Sequence, residues 1–183
     1  MHLKFPDLFS NRIILKEIGL YGLKDMYEYS KIESFYQFLE FPPQKSINDT
    51  KEYLIRLLKR HKNDNAHYWF VELKETGKII GSFAIHDIDW RKKIGEVSYG
   101  ISPHYSKKGY FSEALHSVLK HCFNEMEFHR ICATTRVDNV GSIKGLLNAG
   151  FKREGILKDY YLNYQGKHHD AAILAIINRD YKG

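Results

Sequence analysis

The segment SKKGYFS, Ser106 to Ser112, joins a strand-like end to an amphipathic stretch and places two lysines and a glycine between them. If a helix starts here, its first backbone N–H groups have no internal acceptor and lie at the positive end of the helix dipole. An anion fits such a place, and Gly109 lets the backbone come close to it. Lys107 and Lys108 add cationic side chains. A solvated turn explains the same residues with no ligand at all, so the segment alone leaves both readings open. It is not a P-loop, which needs a second glycine and Gly-Lys-Ser/Thr, and it lacks the GxGxxG of a dinucleotide site. Ten histidines raise the question of a metal. His168 and His169 are strand neighbours that point to opposite faces, and His116 and His121 lack the spacing of helical partners, so no metal is expected.

The elements that must position this segment follow from periodicity. Arg12 to Ile18 is β-branched and loosely alternating, a strand. A helix is expected over residues 23–39, with Leu23, Met26, Tyr27 and Ser30 on one side. A second begins near Ser46, whose spacing to Asp49 is that of a capping box, with Tyr53, Leu54, Leu57 and Leu58 as its apolar face. Tyr68 to Lys74 and the stretch after the ETGK turn form a hairpin, and Ile94 to Ile101 adds a third strand to an antiparallel meander. After Pro103, apolar residues Leu115, Val118, Leu119, Cys122, Phe123 and Met126 give the clearest helical period of the chain. Arg130 to Val137 is a strand, parallel to the strand before the helix as a crossover requires. A short helix closed by Gly150 and two strands joined at Gln165-Gly166 complete a mixed α/β (α+β) order.

The 183 residues suit one domain, 1–183, with a core that needs neither disulfide nor metal. Cys122 and Cys132 read as reduced core thiols of a cytoplasmic protein. No apolar run reaches membrane-spanning length, and the N-terminus lacks a signal-peptide core, so no membrane partner is expected. The net charge of +6 favours anionic partners, but the charges are dispersed, with no basic stripe for nucleic acid.

ISPHYSKKGYFSEAL resembles the acetyl-CoA pyrophosphate loop, Q/R-x-x-G-x-G/A, of GCN5-related N-acetyltransferases (GNATs), and more closely that of the RimJ/RimL-like branch. FSNRIILKEI is similar to the branch's opening strand. RICATTRVDNVGSIKGLLNAGFKREGIL is similar to its N-x-x-S…GF…EG segment, and NYQGKHHDAAILAI to its terminal G-x-x-x-D and strand. The resemblance runs in register over nearly the whole chain. It implies a mostly antiparallel central sheet flanked by helices, with a parallel strand pair splaying around the acetyl-CoA site. It also implies a contact set for the cosubstrate: Tyr99, Ile101, Ser106, Lys107, Lys108, Gly109, Tyr110, Phe111, Ser112 and Asn139. Two positions depart from the pattern. Ser106 replaces Gln or Arg, and Phe111 replaces Gly or Ala. Backbone amides carry most of the phosphate contact, so Phe111 is tolerable if it points into the core; CoA binding is expected to survive, with Lys107 or Lys108 supplying part of the lost attraction.

Acetyl transfer to an amine needs a proton acceptor for the ammonium and benefits from an acid for the leaving thiolate. Glu96 is the one carboxylate within IGEVSYGI and matches the Glu of the branch's strand motif; a solvated strand residue is the other reading. Alternation places Glu96, Ser98 and Gly100 on one face, and Val97, Tyr99 and Ile101 on the other. Many relatives carry an acidic Tyr where this chain has Leu146, which leaves Ser142 as the implied acid, or simply as a helix N-terminal hydrogen bonder. Asn139 is implied beside the pantetheine arm and is also a plausible N-cap, with Gly141 leaving room next to it.

The expected function is acetyl transfer from acetyl-CoA to a primary amine, on a ribosomal-protein N-terminus, a peptide or a small amine. A catalytically silent CoA-binding or regulatory domain of the same fold is the alternative, and a nucleic-acid binder rests on charge alone. The acceptor pocket is expected between residues 34–43 and 158–170, rich in aromatics, with Asp159 and Asp170 as its nearby carboxylates. A homodimer remains open.

Overall fold

The computed structural model describes residues 6–61 and 66–183. An eight-stranded sheet runs β1-β2-β3-β4-β5-β6-β8-β7. Its strands are β1 (Leu8–Phe9), β2 (Ile13–Glu17), β3 (Ala66–Leu73), β4 (Ile79–Asp89), β5 (Ile94–Ile101), β6 (Arg130–Arg136), β7 (Lys152–Leu162) and β8 (His168–Ile177). Every neighbouring pair is antiparallel except β5 and β6. The parallel pair follows from the crossover helix α3 (Tyr110–Lys120) between them, as the sequence required.

Two apolar clusters cover the two faces. On one, Leu115, Val118 and Leu119 of α3 pack on Trp69, Phe83, Ile85 and Val97. On the other, α1 (Leu23–Ser30) and α2 (Ile47–His61) set Met26, Tyr29, Leu54 and Leu57 against Tyr68, Phe70 and Ala84. The alternation of β3 explains this split: Trp69 and Val71 face one cluster, Tyr68 and Phe70 the other. Ser46 and Asp49 form the expected capping box, with Asp49 N–H donating to Ser46 Oγ at 3.2 Å and Ser46 N–H to Asp49 Oδ2 at 3.0 Å.

Three local expectations change. The first helix stops at Ser30, and residues 33–36 form a separate 3-10 turn, whose Tyr36 is buried. Beyond Lys120 the helix loosens into a π turn, His121–Glu125, before β6. Cys122 is buried as expected, whereas Cys132 is only half-buried: it lies on β6 directly opposite Glu96, and its Sγ accepts from Arg130 Nε at 3.2 Å. The helix α4 (Val140–Asn148) ends before Gly150, whose φ of +94° is the predicted left-handed cap. Among the described residues, no helix is long and apolar enough to cross a membrane.

Candidate active site

The entrance to α3 is a helix start at the place the sequence indicated. Lys107 (φ +60°) and Gly109 (φ +83°) are both left-handed, so the chain turns tightly just before α3. The first α3 amide with an internal acceptor is that of Glu113, which donates to Gly109 C=O at 3.1 Å. Among the described residues none accepts from the N–H groups of Lys107 through Ser112. The turn is exposed. Ser106 Oγ donates back to Pro103 C=O at 2.8 Å, and Lys108 Nζ lies 5.2 Å from the Tyr105 ring centre, so these side chains lean away from the amides.

Arg12, which the sequence offered only as a strand end, holds this turn from behind. Its Nη1 donates to Lys108 C=O at 3.0 Å, and its guanidinium lies 4.4 Å from the Tyr110 ring centre. Its Nε donates to Glu113 Oε2 at 2.7 Å and its backbone N–H to Glu113 Oε1 at 2.6 Å; Ser10 Oγ adds a third donor at 2.8 Å. Burial alone would raise the Glu113 carboxyl, but these donors and the guanidinium charge outweigh it and hold the group below the usual carboxylate range.

The second feature is the splay of β5 from β6. Pairing runs Ile94–Arg130, Gly95–Ile131, Glu96–Cys132 and stops. Val97 to Ile101 therefore present an edge that β6 does not meet. Glu96 stands at the fork, where its Oε1 accepts from Thr134 N–H at 3.0 Å. Tyr161 Oη donates to Thr134 C=O at 2.8 Å. The two side chains thus satisfy both backbone groups of Thr134, which a longer β5–β6 ladder would have paired. Tyr161 comes from β7, beyond β8, and must cross that strand to arrive. A register break between Leu157 and Tyr161, with Asp159 at φ +48°, lets it do so. Burial, reinforced by the nearby Glu96 charge, raises the Tyr161 phenol, so it stays protonated at neutral pH.

Tyr99 and Ser142 form a pair on the opposite face of β5, their hydroxyls 2.6 Å apart. Burial pushes the Tyr99 phenol up to about 12, against the opposing pull of the Ser142 contact. Phe111 meets that condition and turns inward: its ring lies 4.5 Å from Tyr99 and 5.8 Å from Phe83. It fits because α4 carries Gly145 there, where any Cβ would fall 2.4 Å from the Phe111 ring. Asn139 caps α4, its Oδ1 accepting from Ser142 N–H at 3.2 Å. Ile101 packs on the α3-side cluster, like Tyr99. The site residues therefore fall into two groups: the α3 entrance with Ser106 to Ser112, and the fork with Glu96, Tyr99, Ile101, Asn139 and Ser142.

The expected acceptor segments meet. An open groove of about 620 Å³ runs between the 3-10 turn and the β7–β8 tip, with Glu33, Gln37, Asn163 and Gln165 in its walls. Leu162 N–H donates to Glu40 Oε1 at 3.1 Å across the two segments. Asp159 and Asp170 do not line it. Asp170 instead accepts from Asp159 N–H at 3.0 Å and Lys158 Nζ at 2.7 Å, which locks the bulge in β7 and holds the Asp170 carboxyl below the usual range. Arg136, buried, clamps Asp138 and donates to Gln37 C=O at 3.2 Å, tying the groove's floor to β6.

Comparison with known proteins agrees with this architecture. Residues 12–152 match the acetyltransferase (GNAT) domain. The uncharacterized N-acetyltransferase p20 of Bacillus licheniformis is 23% identical over 176 residues, which cover 96% of this chain and 98% of that one. The ribosomal-protein-serine acetyltransferase of Escherichia coli (strain K12) is 32% identical over 89 residues, 49% of each chain. The crystal structure of spermidine N-acetyltransferase from Vibrio cholerae in complex with CoA and spermine shares the fold, with a TM-score of 0.80 at 18% identity over 94% of this chain and 99% of that one. The domain match spans most of the sequence, and the chain belongs to the GNAT family of acetyltransferases.

Proposed function

We propose that this GNAT protein is a RimJ/RimL-like N-acetyltransferase that moves an acetyl group from acetyl-CoA to a primary amine, on a peptide N-terminus or a small molecule. The observation that carries the reading is the α3 entrance. The amides from Lys107 to Ser112, none of which has an acceptor among the described residues, suit a pyrophosphate, and the exposed Lys107 adds charge beside them. The open β5 edge beyond Glu96 suits an extended pantetheine arm, and a Cβ at Gly141 would meet nothing within 4 Å, so the start of α4 offers room beside that arm.

The acetyl thioester supplies the activated acyl group, and the protein's part is proton handling. Glu96 Oε1 is committed to Thr134, so the other carboxylate oxygen takes the ammonium proton, directly or through one water. The neutral nitrogen then forms the new N–C bond as the C–S bond breaks, and the excess proton left on that nitrogen passes to water, from which Tyr99 regains the proton it relays. Ser142 gives its proton to the departing thiolate, and Tyr99, whose phenol is protonated, replaces it across their 2.6 Å contact. Tyr161 fixes the Thr134 peptide and thereby the Glu96 orientation.

The test is binding and turnover together. Acetyl-CoA should raise the melting temperature by mass action, and CoA thiol should appear when an amine panel is added. Absence of any thermal shift at saturating acetyl-CoA would sink the proposal.

A further inference from the structure

A second, smaller cavity lies under α1 and α2 against the face of β5 that carries Ser98 and Gly100. Its volume is about 190 Å³. For scale, an apolar cavity of about 150 Å³ accepts benzene. Phe35, Tyr36, Phe41, Tyr53 and Tyr68 supply most of its walls beside the uncharged Ser30, Gln44, Ser82 and Ser98, and among the described residues no charged one lines it. Its floor holds the Tyr29 hydroxyl, 2% exposed as a residue, which lies beside Ser82 without a hydrogen bond of normal geometry. At one end the cavity reaches Ser98, Tyr99 and Gly100, the β5 segment at the fork. At the other, Tyr36 and Leu39 line both this cavity and the open 620 Å³ groove. The groove differs in chemistry. Among the described residues Glu33 is the charged one in its walls, beside the side-chain amides of Gln37, Asn163 and Gln165.

We infer that the acceptor is a peptide N-terminus whose first residue is bulky and uncharged, of phenylalanine or leucine size; this rests on the acetyltransferase reading above. The amine lies at Ser98 and Tyr99, near the fork. The first side chain enters the ring-lined cavity, where a charge would lose its hydration without a partner. The following peptide leaves over Tyr36 and Leu39 into the groove, whose amides pair with main-chain groups. A polyamine fits this cavity poorly, because its second ammonium would find rings and hydroxyls instead of carboxylates.

The test is CoA release with peptides that differ only in the first residue: Phe, Leu, Ala or Ser, with phenethylamine and spermidine alongside. Phe- and Leu-led peptides should exceed Ser- and Ala-led ones in kcat/KM by roughly 10- to 100-fold, the range that a few buried carbons supply. Phe41→Ala, at a residue 39% exposed, should lower the Phe-led rate more than the Ser-led rate and so narrow their ratio, with the acetyl-CoA thermal shift unchanged. Equal rates for Phe and Ser peptides would overturn this inference while leaving the transferase intact. Phenethylamine matching the Phe peptide would overturn the peptide assignment, and spermidine as the fastest acceptor would overturn the cavity's role. No CoA release from any acceptor, with no thermal shift, would end both readings together.

Discussion

Glu96→Gln separates chemistry from architecture at the fork. The glutamine carbonyl keeps an acceptor for Thr134 N–H, so the 3.0 Å contact and the splay survive while the proton acceptor is lost. If Glu96 takes the ammonium proton, kcat falls by about 10²–10⁴-fold at pH 7 with acetyl-CoA affinity unchanged. The deficit depends on pH in a fixed direction. A peptide α-amine has a pKa of about 8, so about a tenth is neutral at pH 7 and nearly all at pH 9. Raising pH therefore supplies by mass action what the base supplied, and the deficit should shrink by about tenfold across that interval.

Glu96→Ala is the control. It leaves Thr134 N–H without an acceptor in a half-buried fork, at a cost of about 1–3 kcal/mol. In a chain of this size each kcal/mol lowers Tm by about 2–4 °C. Glu96→Gln should therefore be slow but stable, and Glu96→Ala both slow and less stable. Stopped assays of CoA release from pH 6.5 to 9, with differential scanning fluorimetry, read both quantities. A Glu96→Gln profile that overlays the parent would refute the proton role and reduce Glu96 to a cap on β6.

Two further substitutions address the remaining parts. Arg12→Met removes the clamp on Lys108 C=O and Glu113, and should cut kcat/KM for acetyl-CoA by about tenfold, since about 1.4 kcal/mol of loop preorganisation is a factor of ten. The rate with acetyl-pantetheine, which lacks the pyrophosphate, should not change; equal losses with both thioesters would mean simple destabilisation. Because the Glu113 carboxyl is held below its unfolded value, the clamp's contribution is present above the usual carboxylate range and should be lost as pH falls through that lowered value, which acid unfolding of parent and Arg12→Met would compare. Ser142→Ala and Tyr99→Phe should each lower kcat, and the double variant should cost little more than Ser142→Ala if the two act as one relay; additive losses would separate them.

The sheet was legible in the sequence because its signals are local. Alternation marks β5, a clean helical period marks α3, and the handedness of the crossover then requires the parallel pair. The turn into α3 was legible for the same reason: one seven-residue segment contains the helix-start amides, the glycine and the lysines. Arg12 and Glu113 were not, because they are far apart in sequence and meet only when β2 is laid beside the start of α3. The helix expected to run to residue 39 breaks at Ser30. That serine's C=O accepts from Gln44 N–H at 3.1 Å, and its hydroxyl sits 3.3 Å from Thr50 Oγ1, buried contacts that outweigh helical spacing. Asp159 and Asp170 looked available as charges beside an acceptor, yet their sequence neighbourhood hides the bulge that they hold together.

Tyr161 was invisible for a deeper reason. Opening a parallel pair leaves two strand edges with unpaired backbone groups, and a buried peptide cannot remain so without cost. In β6 the cost falls on Thr134, whose N–H and C=O are both met by side chains, one from β5 and one from beyond β8. The irregularity in β7 is what makes the second possible, because a regular β7 would keep Tyr161 over its own neighbour. The cleft is therefore held open by the same two side chains that flank it. Glu96 keeps one oxygen free because Thr134 needs only the other, and Tyr161 spares Glu96 from bearing the whole fork. A fold that splays its strands must close the exposed backbone groups with polar side chains, and on the mechanism proposed above Glu96 is one of them.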